Sequence, residues 1–116
     1  MKNFKSLKVW QQGMLFVKLA YELRKSLPDS ERFGLMDQLK RASVSIPTNI
    51  AEGSSRLSDK DFSWFLQIAL GSAYEVETLL LLIKDIGYAS KSELDQLPII
   101  DEIQKMLFGL MKTLKK

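Results

Sequence analysis

The sequence predicts an all-α fold, an antiparallel up-down-up-down bundle of four helices that forms a single domain over residues 1–116. In four segments, apolar residues recur at intervals of three and four, which is the spacing of one helix face. Short segments with proline, glycine or capping residues separate them, and short links make successive helices antiparallel. No segment shows the strict alternation of a strand. A chain of this length with 46% hydrophobic residues can fill the core of such a bundle.

The first predicted helix runs from about residue 6 to residue 26, and the segment that contains Pro28 ends it. Two apolar stripes lie side by side along this helix. The first stripe is Trp10, Met14, Val17 and Tyr21, and the second is Leu15, Leu19 and Leu23.

The second predicted helix starts near Glu31, with Asp29 or Ser30 as its N-cap, and ends at Gly53. We expect Gly53 to adopt the left-handed conformation that commonly ends a helix. Pro47 lies in the interior of this helix. The apolar face is Leu35, Leu39, Ala42, Ile46 and Ile50.

The third predicted helix is the longest, from about Asp59 to Ile86, and Gly87 ends it. Ser58 followed by Asp61 resembles a capping box, with aspartate in place of the usual glutamate or glutamine. A heptad-like seam runs along the whole helix, as expected for packing in a bundle. The seam is Phe62, Leu66, Ala69, Ala73, Val76, Leu80 and Ile83.

The fourth predicted helix is capped by Ser90 or Ser92, and Pro98 marks either a kink or the true first turn. Its core stripe is Ile99 or Ile100, Ile103, Met106 or Leu107, Leu110 and Leu114.

Two of the predicted helices carry more apolar residues than one packed face of about 100° needs. A broad core could absorb them, or they could form a contact between protomers. We favour self-association into a homo-oligomer, because soluble monomers rarely expose large apolar patches. The surplus residues are Trp64, Phe65, Ile68, Leu79, Leu81 and Leu82 on the third helix and Leu15, Phe16 and Leu19 on the first.

The net charge of +3 is small, but its distribution is uneven. In an up-down-up-down bundle the two chain ends and the link between helices two and three share one end. Eight basic residues there face three acidic ones (Glu52, Asp59 and Asp61), a local balance of +5. The basic residues are Lys2, Lys5, Lys8, Arg56, Lys60, Lys112, Lys115 and Lys116.

Two interpretations of this basic end stay open. The lysines could serve solubility and complement the C-terminus of the last helix. They could also bind the phosphates of RNA or DNA, without base specificity. Phe4 and Trp10 are too few to predict a stacking platform for single strands.

The residue types present restrict the chemistry available. The chain has no histidine and no cysteine, which excludes structural zinc sites, Cys–His or Ser–His nucleophile pairs and histidine proton shuttles. No phosphate loop or dinucleotide fingerprint occurs. We therefore expect no enzyme, no cofactor and no metal. An enzyme that uses Glu52 with Arg41 or Asn49 is the least favoured alternative.

The cellular location is predicted from the N-terminal segment, the length of the apolar runs and the absence of cysteine. The segment "MKNFKSLKVW" lacks the apolar core of a secretion signal, and no apolar run approaches the ~20 residues of a membrane span. The absence of cysteine fits a reducing compartment. We expect a cytoplasmic protein with no membrane partner.

A polar stripe follows the second helix opposite its apolar face, around the proline. Pro47 cannot donate to the carbonyl of Ser43, and we expect Ser43, Ser45, Thr48 and Asn49 to donate hydrogen bonds to the freed carbonyls. Glu52 lies in the last turn, where the helix dipole disfavours an anion, so we expect Arg56 to pair with it. The stripe is Arg41, Ser45, Asn49, Glu52 and Arg56.

The same region carries a family resemblance that extends over essentially the whole chain. Residues 41–56 read "RASVSIPTNIAEGSSR", with "FGLMDQLKRA" before them and "FLQIALGSAYEVET" after the link. The chain ends, "FKSLKVWQQGMLFVKLAYEL" and "KMLFGLMKTLKK", fit the same pattern. The sequence resembles the bacterial four-helix-bundle proteins encoded in intervening sequences of large-subunit (23S) ribosomal RNA genes.

That resemblance implies an up-down four-helix fold and assembly into a ring, a homopentamer. It implies no particular activity. The sequence is also similar to the accessory variability determinant proteins of diversity-generating retroelements, which are basic pentameric barrels that bind nucleic acid and a reverse transcriptase. A reverse transcriptase is therefore an expected partner only where one is encoded beside the gene. Our leading hypothesis is an oligomeric interaction or scaffold protein, and nucleic-acid binding through the basic end is the alternative.

Overall fold

The computed structural model describes residues 3–90, 94 and 97–114, and these residues form helices and turns with no strand. Three short 3₁₀ turns precede or link the main helices, at Phe4–Ser6, Arg24–Ser26 and Asp29–Glu31. The main helices are α1 (Lys8–Leu23), α2 (Leu35–Ser54), α3 (Asp59–Ile86) and α4 (Leu97–Leu114).

The four helices pack as an elongated bundle of 44 × 23 × 20 Å. Each helix packs against the next one in the chain, and α4 also contacts α1. The end of α4 lies beside the start of α3, since Leu114 and Asp59 line the same depression. The N-terminal turn Phe4–Ser6 contacts α2. The predicted all-α, up-down-up-down bundle is confirmed.

The core of the bundle matches the predicted faces of α2 and α3. The seven seam residues of α3 are buried, and so are Leu39, Ala42, Ile46 and Ile50 of α2. In α4 the structure selects one residue from each predicted pair, Ile100 and Leu107, and adds a residue that the prediction missed. The buried apolar residues of α4 are Ile100, Ile103, Leu107 and Met111.

The predicted stripes of α1 are mostly wrong: Leu23 is the predicted stripe residue that is buried, and the buried face lies between the two stripes. Phe16, predicted to be surplus, is fully buried. Met14, Leu15 and Tyr21 are exposed instead. The buried face contains Gly13, where a Cβ would lie 3.4–3.5 Å from side-chain atoms of Ile46 and Pro47 of α2. The buried residues of α1 are Val9, Gly13, Phe16, Ala20 and Leu23.

Both ends of α3 form as predicted. The Ser58 hydroxyl accepts a hydrogen bond from the Asp61 backbone N–H at 3.1 Å, which caps the first turn. Gly87 adopts a left-handed conformation, with φ of 93°, and its N–H donates back to the last turn. Glycine accepts this conformation without the steric penalty that a Cβ would cause.

The start of α2 lies later than predicted. Asp29–Glu31 forms a separate 3₁₀ turn, and the helix begins at Leu35. The Glu31 carboxylate accepts the Leu35 N–H at 3.2 Å, so Glu31 satisfies an exposed donor of the first turn from outside the helix.

The end of α2 also differs from the prediction. Gly53 lies inside the helix, which continues to Ser54, and it does not have a positive φ. A Cβ at Gly53 would lie only 2.6 Å from the Cβ of Phe65 and 3.0 Å from Cδ1 of Phe62. Glycine is required here because α2 and α3 approach closely, and its freedom to adopt positive φ is not used.

Pro98 lies in the first turn of α4, so the alternative of a kink is not realised. A proline is tolerated there because the first N–H groups of a helix have no partner within it. Ser90 lies too far before Leu97 to cap the helix, and Ser92 lies outside the described residues.

α3 is long and apolar enough to cross a membrane by length and composition, with a mean hydropathy of 1.4 over its most apolar window. In this fold α3 is the central helix of the bundle and packs against both α2 and α4. The core helix of a folded bundle meets the same two criteria, so the expectation of no membrane partner stays a prediction.

Candidate functional site

The basic end contains five of the eight predicted basic residues within the described part of the chain: Lys5, Lys8, Arg56, Lys60 and Lys112. Lys2, Lys115 and Lys116 lie outside it. The end is the predicted one, since the α2–α3 link, the N-terminal turn and the end of α4 lie together.

These basic side chains do not converge on one point. The Arg56 guanidinium stacks over the Phe65 ring, 4.6 Å from its centroid, and the Lys5 Nζ lies 5.9 Å from the ring of Phe4. Lys60 lines a depression with Asp59 and Asp61, which reduce its local positive potential. The arrangement offers distributed contacts to an extended polyanion.

The polar stripe of α2 is partly used to join α2 to α3. The Ser72 hydroxyl of α3 donates to the Ser45 hydroxyl at 2.8 Å. The Asn49 side-chain amide donates to the Ser45 hydroxyl at 2.9 Å and to the Ser45 carbonyl at 2.8 Å. Ser45 and Asn49 therefore serve the packing of the two helices.

The charged members of the stripe do not act together. Arg41 pairs with Asp37 at 2.9 Å, one turn earlier in α2; the Arg41 side chain is largely exposed and that of Asp37 is half-buried. No ion pair joins Glu52 and Arg56 within the described residues, so the predicted pairing is wrong. Arg56 stacks on Phe65 instead. Arg41, Ser45 and Asn49 line one depression beside α2, but Glu52 does not line it. The enzyme alternative therefore stays a prediction.

The backbone around Pro47 is bonded differently from the prediction. The hydroxyl of Ser43 donates to the Leu39 carbonyl at 2.6 Å, and that of Thr48 to the Val44 carbonyl at 2.7 Å. Together with the bond from the Asn49 amide to the Ser45 carbonyl, these bonds satisfy the carbonyls of Leu39, Val44 and Ser45. The Ser43 carbonyl is not among these acceptors. These bonds reinforce the neighbouring turns rather than replace the bond that the proline removes.

A groove between α3 and α4 is a site that the sequence did not predict. It has a volume of about 520 Å³, within the range of small-molecule sites. Tyr74 and Phe108, 47% and 48% exposed, line its walls. Buried Leu70 and Met111 also line it. The lining residues are Gln67, Leu70, Gly71, Tyr74, Phe108, Met111 and Lys112.

Beyond the Tyr74–Phe108 end of this groove, a hydrogen bond joins the two helices. The Gln104 amide of α4 donates to the Glu77 carboxylate of α3 at 2.8 Å. Glu77 follows Tyr74 by one turn, and Gln104 precedes Phe108 by one turn. The opposite end opens toward a second depression, which contains Trp64 and Lys60 and shares Gln67 with the groove.

No group of three or more carboxylates within residues 3–90, 94 and 97–114 is placed to hold a metal ion. Among the described residues, Tyr88 has a shifted pKa. Its hydroxyl donates to the Glu31 carboxylate at 2.9 Å, and this hydrogen bond, with smaller contributions from desolvation and the carboxylate charge, raises the pKa of Tyr88.

The family model described as "23S rRNA-intervening sequence protein" matches residues 5–109, which include all four helices except the last turn of α4. The chain belongs to this family. No protein of curated function matches it.

A solved structure supports the fold of this intervening-sequence family member. The chain is similar to a protein of unknown function from the S23 ribosomal protein family of Bacteroides thetaiotaomicron, with 29% identity and a TM-score of 0.83. The match covers 90% of this chain and 98% of the other.

The apolar surplus predicted for this family member is only partly at the surface. Leu79 and Phe16 are buried, whereas Phe65 and Leu19 are half-buried. The exposed members of the predicted set are Leu15, Trp64, Ile68, Leu81 and Leu82.

On α3 four of the exposed apolar residues share one face, about a third of a turn around the helix from the buried seam. They form one pair near the start of α3 and one pair at its end, with Glu75 between the pairs on the same face. We call this face the outer stripe of α3. It consists of Trp64, Ile68, Leu82 and Ile86.

Proposed function

We propose that this member of the 23S rRNA-intervening sequence protein family is a non-enzymatic interaction or scaffold protein that acts as a cytoplasmic homo-oligomer. The outer stripe of α3 carries the proposal. Trp64 is 61% exposed and Ile86 is 53% exposed, although both belong to a long, regular helix. The sequence resemblance adds the expectation that the oligomer is a pentameric ring.

The physical argument rests on the arrangement of these side chains. Single exposed apolar residues are ordinary on soluble proteins, but two apolar pairs on one helix face, one on each side of Glu75, give a neighbouring subunit two apolar contact points to cover. Covering apolar surface contributes about 25 cal/mol per Å², so partly exposed tryptophan, leucine and isoleucine side chains are suitable anchors.

Light scattering coupled to size-exclusion chromatography tests this proposal directly. We expect the wild-type protein to have a mass several times that of the chain at micromolar concentration. The double variant Leu82→Glu/Ile86→Glu places charges in the contact and should become monomeric, with its helical circular dichroism preserved.

The matched control is Phe33→Glu, which replaces an apolar side chain at least as exposed as those of the stripe but in the turn before α2. It should leave the mass unchanged. A wild-type protein that is monomeric at micromolar concentration would disprove the proposal.

A second candidate function is the binding of RNA or DNA through the basic end. Its support is that five described basic residues there outnumber three acidic ones (Glu52, Asp59 and Asp61). The charges are distributed, so the proposed contacts are to phosphates and give little sequence preference. A reverse transcriptase is a proposed partner only where its gene lies beside this one.

A salt series with RNA and DNA tests the second candidate. We expect affinity to fall steeply as salt rises, because each phosphate contact releases counterions. Glutamate at Lys112, Lys115 and Lys116 should abolish binding. The control is glutamate at Lys25 and Lys84, which reverses charges at the opposite end. Absence of binding at low salt would refute this candidate.

A further inference from the structure

The groove between α3 and α4 combines features that recognise one chemical class of ligand. It is lined by two half-exposed aromatic rings, two buried apolar side chains, one amide and one ammonium group. Among the described residues that line it there is no carboxylate. We propose that this groove binds a planar aromatic ring that carries an anionic group, as a nucleotide does, either free or as one unit of a single strand.

Gly71 lines the groove on the α3 side and adds no side chain to it. It lies in the middle of α3, where glycine is less favourable than alanine by roughly 1 kcal/mol in a helix. A Cβ at Gly71 would meet no atom within 4 Å, so packing within the chain does not require glycine here. The missing side chain leaves space beside the ring of Tyr74, one turn later along the same groove.

The two aromatic residues supply the surface for the ring. Tyr74 extends from α3 and Phe108 from α4, and about half of each side chain is exposed. Aromatic side chains stack on any nucleobase, because every base has a π-face. Leu70 and Met111 are buried beneath and provide an apolar surface for the edge of the ring.

The charges around the groove fix the orientation of the ligand. Lys112 lies one helical turn after Phe108 and provides the cation for the anionic group. Beyond the other end, Glu77 is held by Gln104. A negative group is therefore favoured at the Lys112 end and disfavoured at the Tyr74 end. In the neighbouring depression Lys60 lies with Asp59 and Asp61, so a strand that extends past Gln67 meets charges of both signs.

This inference deepens the second candidate function, on which it rests, because it adds a base-stacking site beside the phosphate contacts of the basic end. Two probes separate the two sources of the ligand: adenosine monophosphate for a free nucleotide, and an oligothymidylate of about 10 nucleotides for a single strand. Binding is followed by the amide signals of the glycines in ¹⁵N-labelled protein.

We expect at least one probe to shift the Gly71 signal and to leave that of Gly87, at the C-terminal end of α3, unchanged. Gly109 is the site of the control substitution, since it is exposed on α4, a Cβ there meets no atom within 4 Å, and it does not line the groove. Gly71→Leu should fill the groove and weaken binding by about tenfold or more, whereas Gly109→Leu should leave the affinity unchanged.

Phe108→Ala is a second variant with the same expected loss, and thermal unfolding confirms that each variant is folded. Binding of adenosine monophosphate supports a free nucleotide, and binding of the oligonucleotide alone supports a single strand. The proposal is overturned if neither probe binds, or if Gly71→Leu binds as tightly as wild type. If Gly71→Leu binds as tightly as wild type but the lysine variants bind more weakly, the basic end remains a nucleic-acid site and the groove does not.

Discussion

The two long interfaces of α3 use glycine in opposite ways. At the α2–α3 interface, Gly53 lets the helices touch, and a Cβ there would lie 2.6 Å from the Cβ of Phe65. At the α3–α4 interface, Gly71 borders open space, with no atom within 4 Å of the position that a Cβ would occupy. The first glycine stabilises the fold by close approach, whereas the second lowers helix stability and lines a groove without a packing contact that needs glycine.

The polar contacts across the two interfaces of α3 also differ, in the length of the side chains that make them. Ser45 and Ser72 join α2 to α3 through short side chains that keep the helices close. Gln104 reaches from α4 to Glu77 of α3 through a longer side chain, and its amide also lies 3.5 Å from the Ala73 carbonyl. We call the α2–α3 interface, where Gly53 allows close approach, the tight interface, and the α3–α4 interface, which borders the groove, the open interface.

The strongest test of the tight interface is Gly53→Ala. We expect a loss of about 1–3 kcal/mol in the free energy of unfolding, because the new methyl group must push Phe65 and α3 away from α2. Urea denaturation measures it. Gly109→Ala is the control and should stabilise. A neutral effect of Gly53→Ala would show that the interface can relax, and the contrast between the two interfaces would fail.

The polar bridge of the open interface gives a smaller effect. Gln104→Met keeps the volume but removes the donor to Glu77, and we expect a loss of about 1–2 kcal/mol. In a Glu77→Ala background the same substitution should cost less, since the carboxylate that it leaves unpaired is gone. Equal losses in both backgrounds would assign the effect of Gln104 to packing alone.

Gly71→Ala should act in the opposite direction from Gly53→Ala. The alanine meets open space and improves the helix, so we expect stabilisation of about 0.5–1 kcal/mol. The melting temperature should rise by as much as in Gly109→Ala. Destabilisation would mean that the groove is closed in solution.

The smallest effect concerns the far end of the tight interface, where Tyr88 holds Glu31 near the start of α2. The hydrogen bond raises the pKa of Tyr88 above its value in the unfolded chain. The bond therefore stabilises the fold fully below about pH 10 and is lost as the pH rises through the higher folded value.

Unfolding followed from about pH 9 to about pH 12 should show a steeper loss of stability in wild type than in Tyr88→Phe. Tyr74→Phe removes a tyrosine without this hydrogen bond and serves as the control. Identical slopes in wild type and Tyr88→Phe would show that the bond does not form in solution.

The sequence was sufficient where local signals and periodicity agreed. α3 was predicted with its bounds, its Ser58 cap, its Gly87 end and its whole seam, because capping residues flank a heptad pattern without interruption. α1 was misassigned because several of its faces are apolar, and which of them is buried depends on how α1 packs against the other helices.

The sites were harder to predict than the helices. Gly53 resembles a helix end in sequence, and only the proximity of Phe65 shows that it lies inside α2. The groove depends on which residues of α3 face α4, so Tyr74, Phe108 and Lys112 could not be grouped from one sequence. The available signal was that four residues of the third helix share one face: Gln67, Leu70, Gly71 and Tyr74. This spacing did not identify α4 as the helix on the other side of the groove.

The pairing of each helix with its successor has a consequence for the order of events during synthesis. α3 is the helix whose apolar length would suit a lipid bilayer, and its partner α2 is made before it. As α3 leaves the ribosome, α2 is already available to cover one flank, and α4 follows to cover the other. Contacts between neighbours in the chain also favour rapid folding. The apolar surface of α3 is thereby covered early in synthesis, when nascent chains are most prone to aggregate or to be delivered to a membrane by mistake.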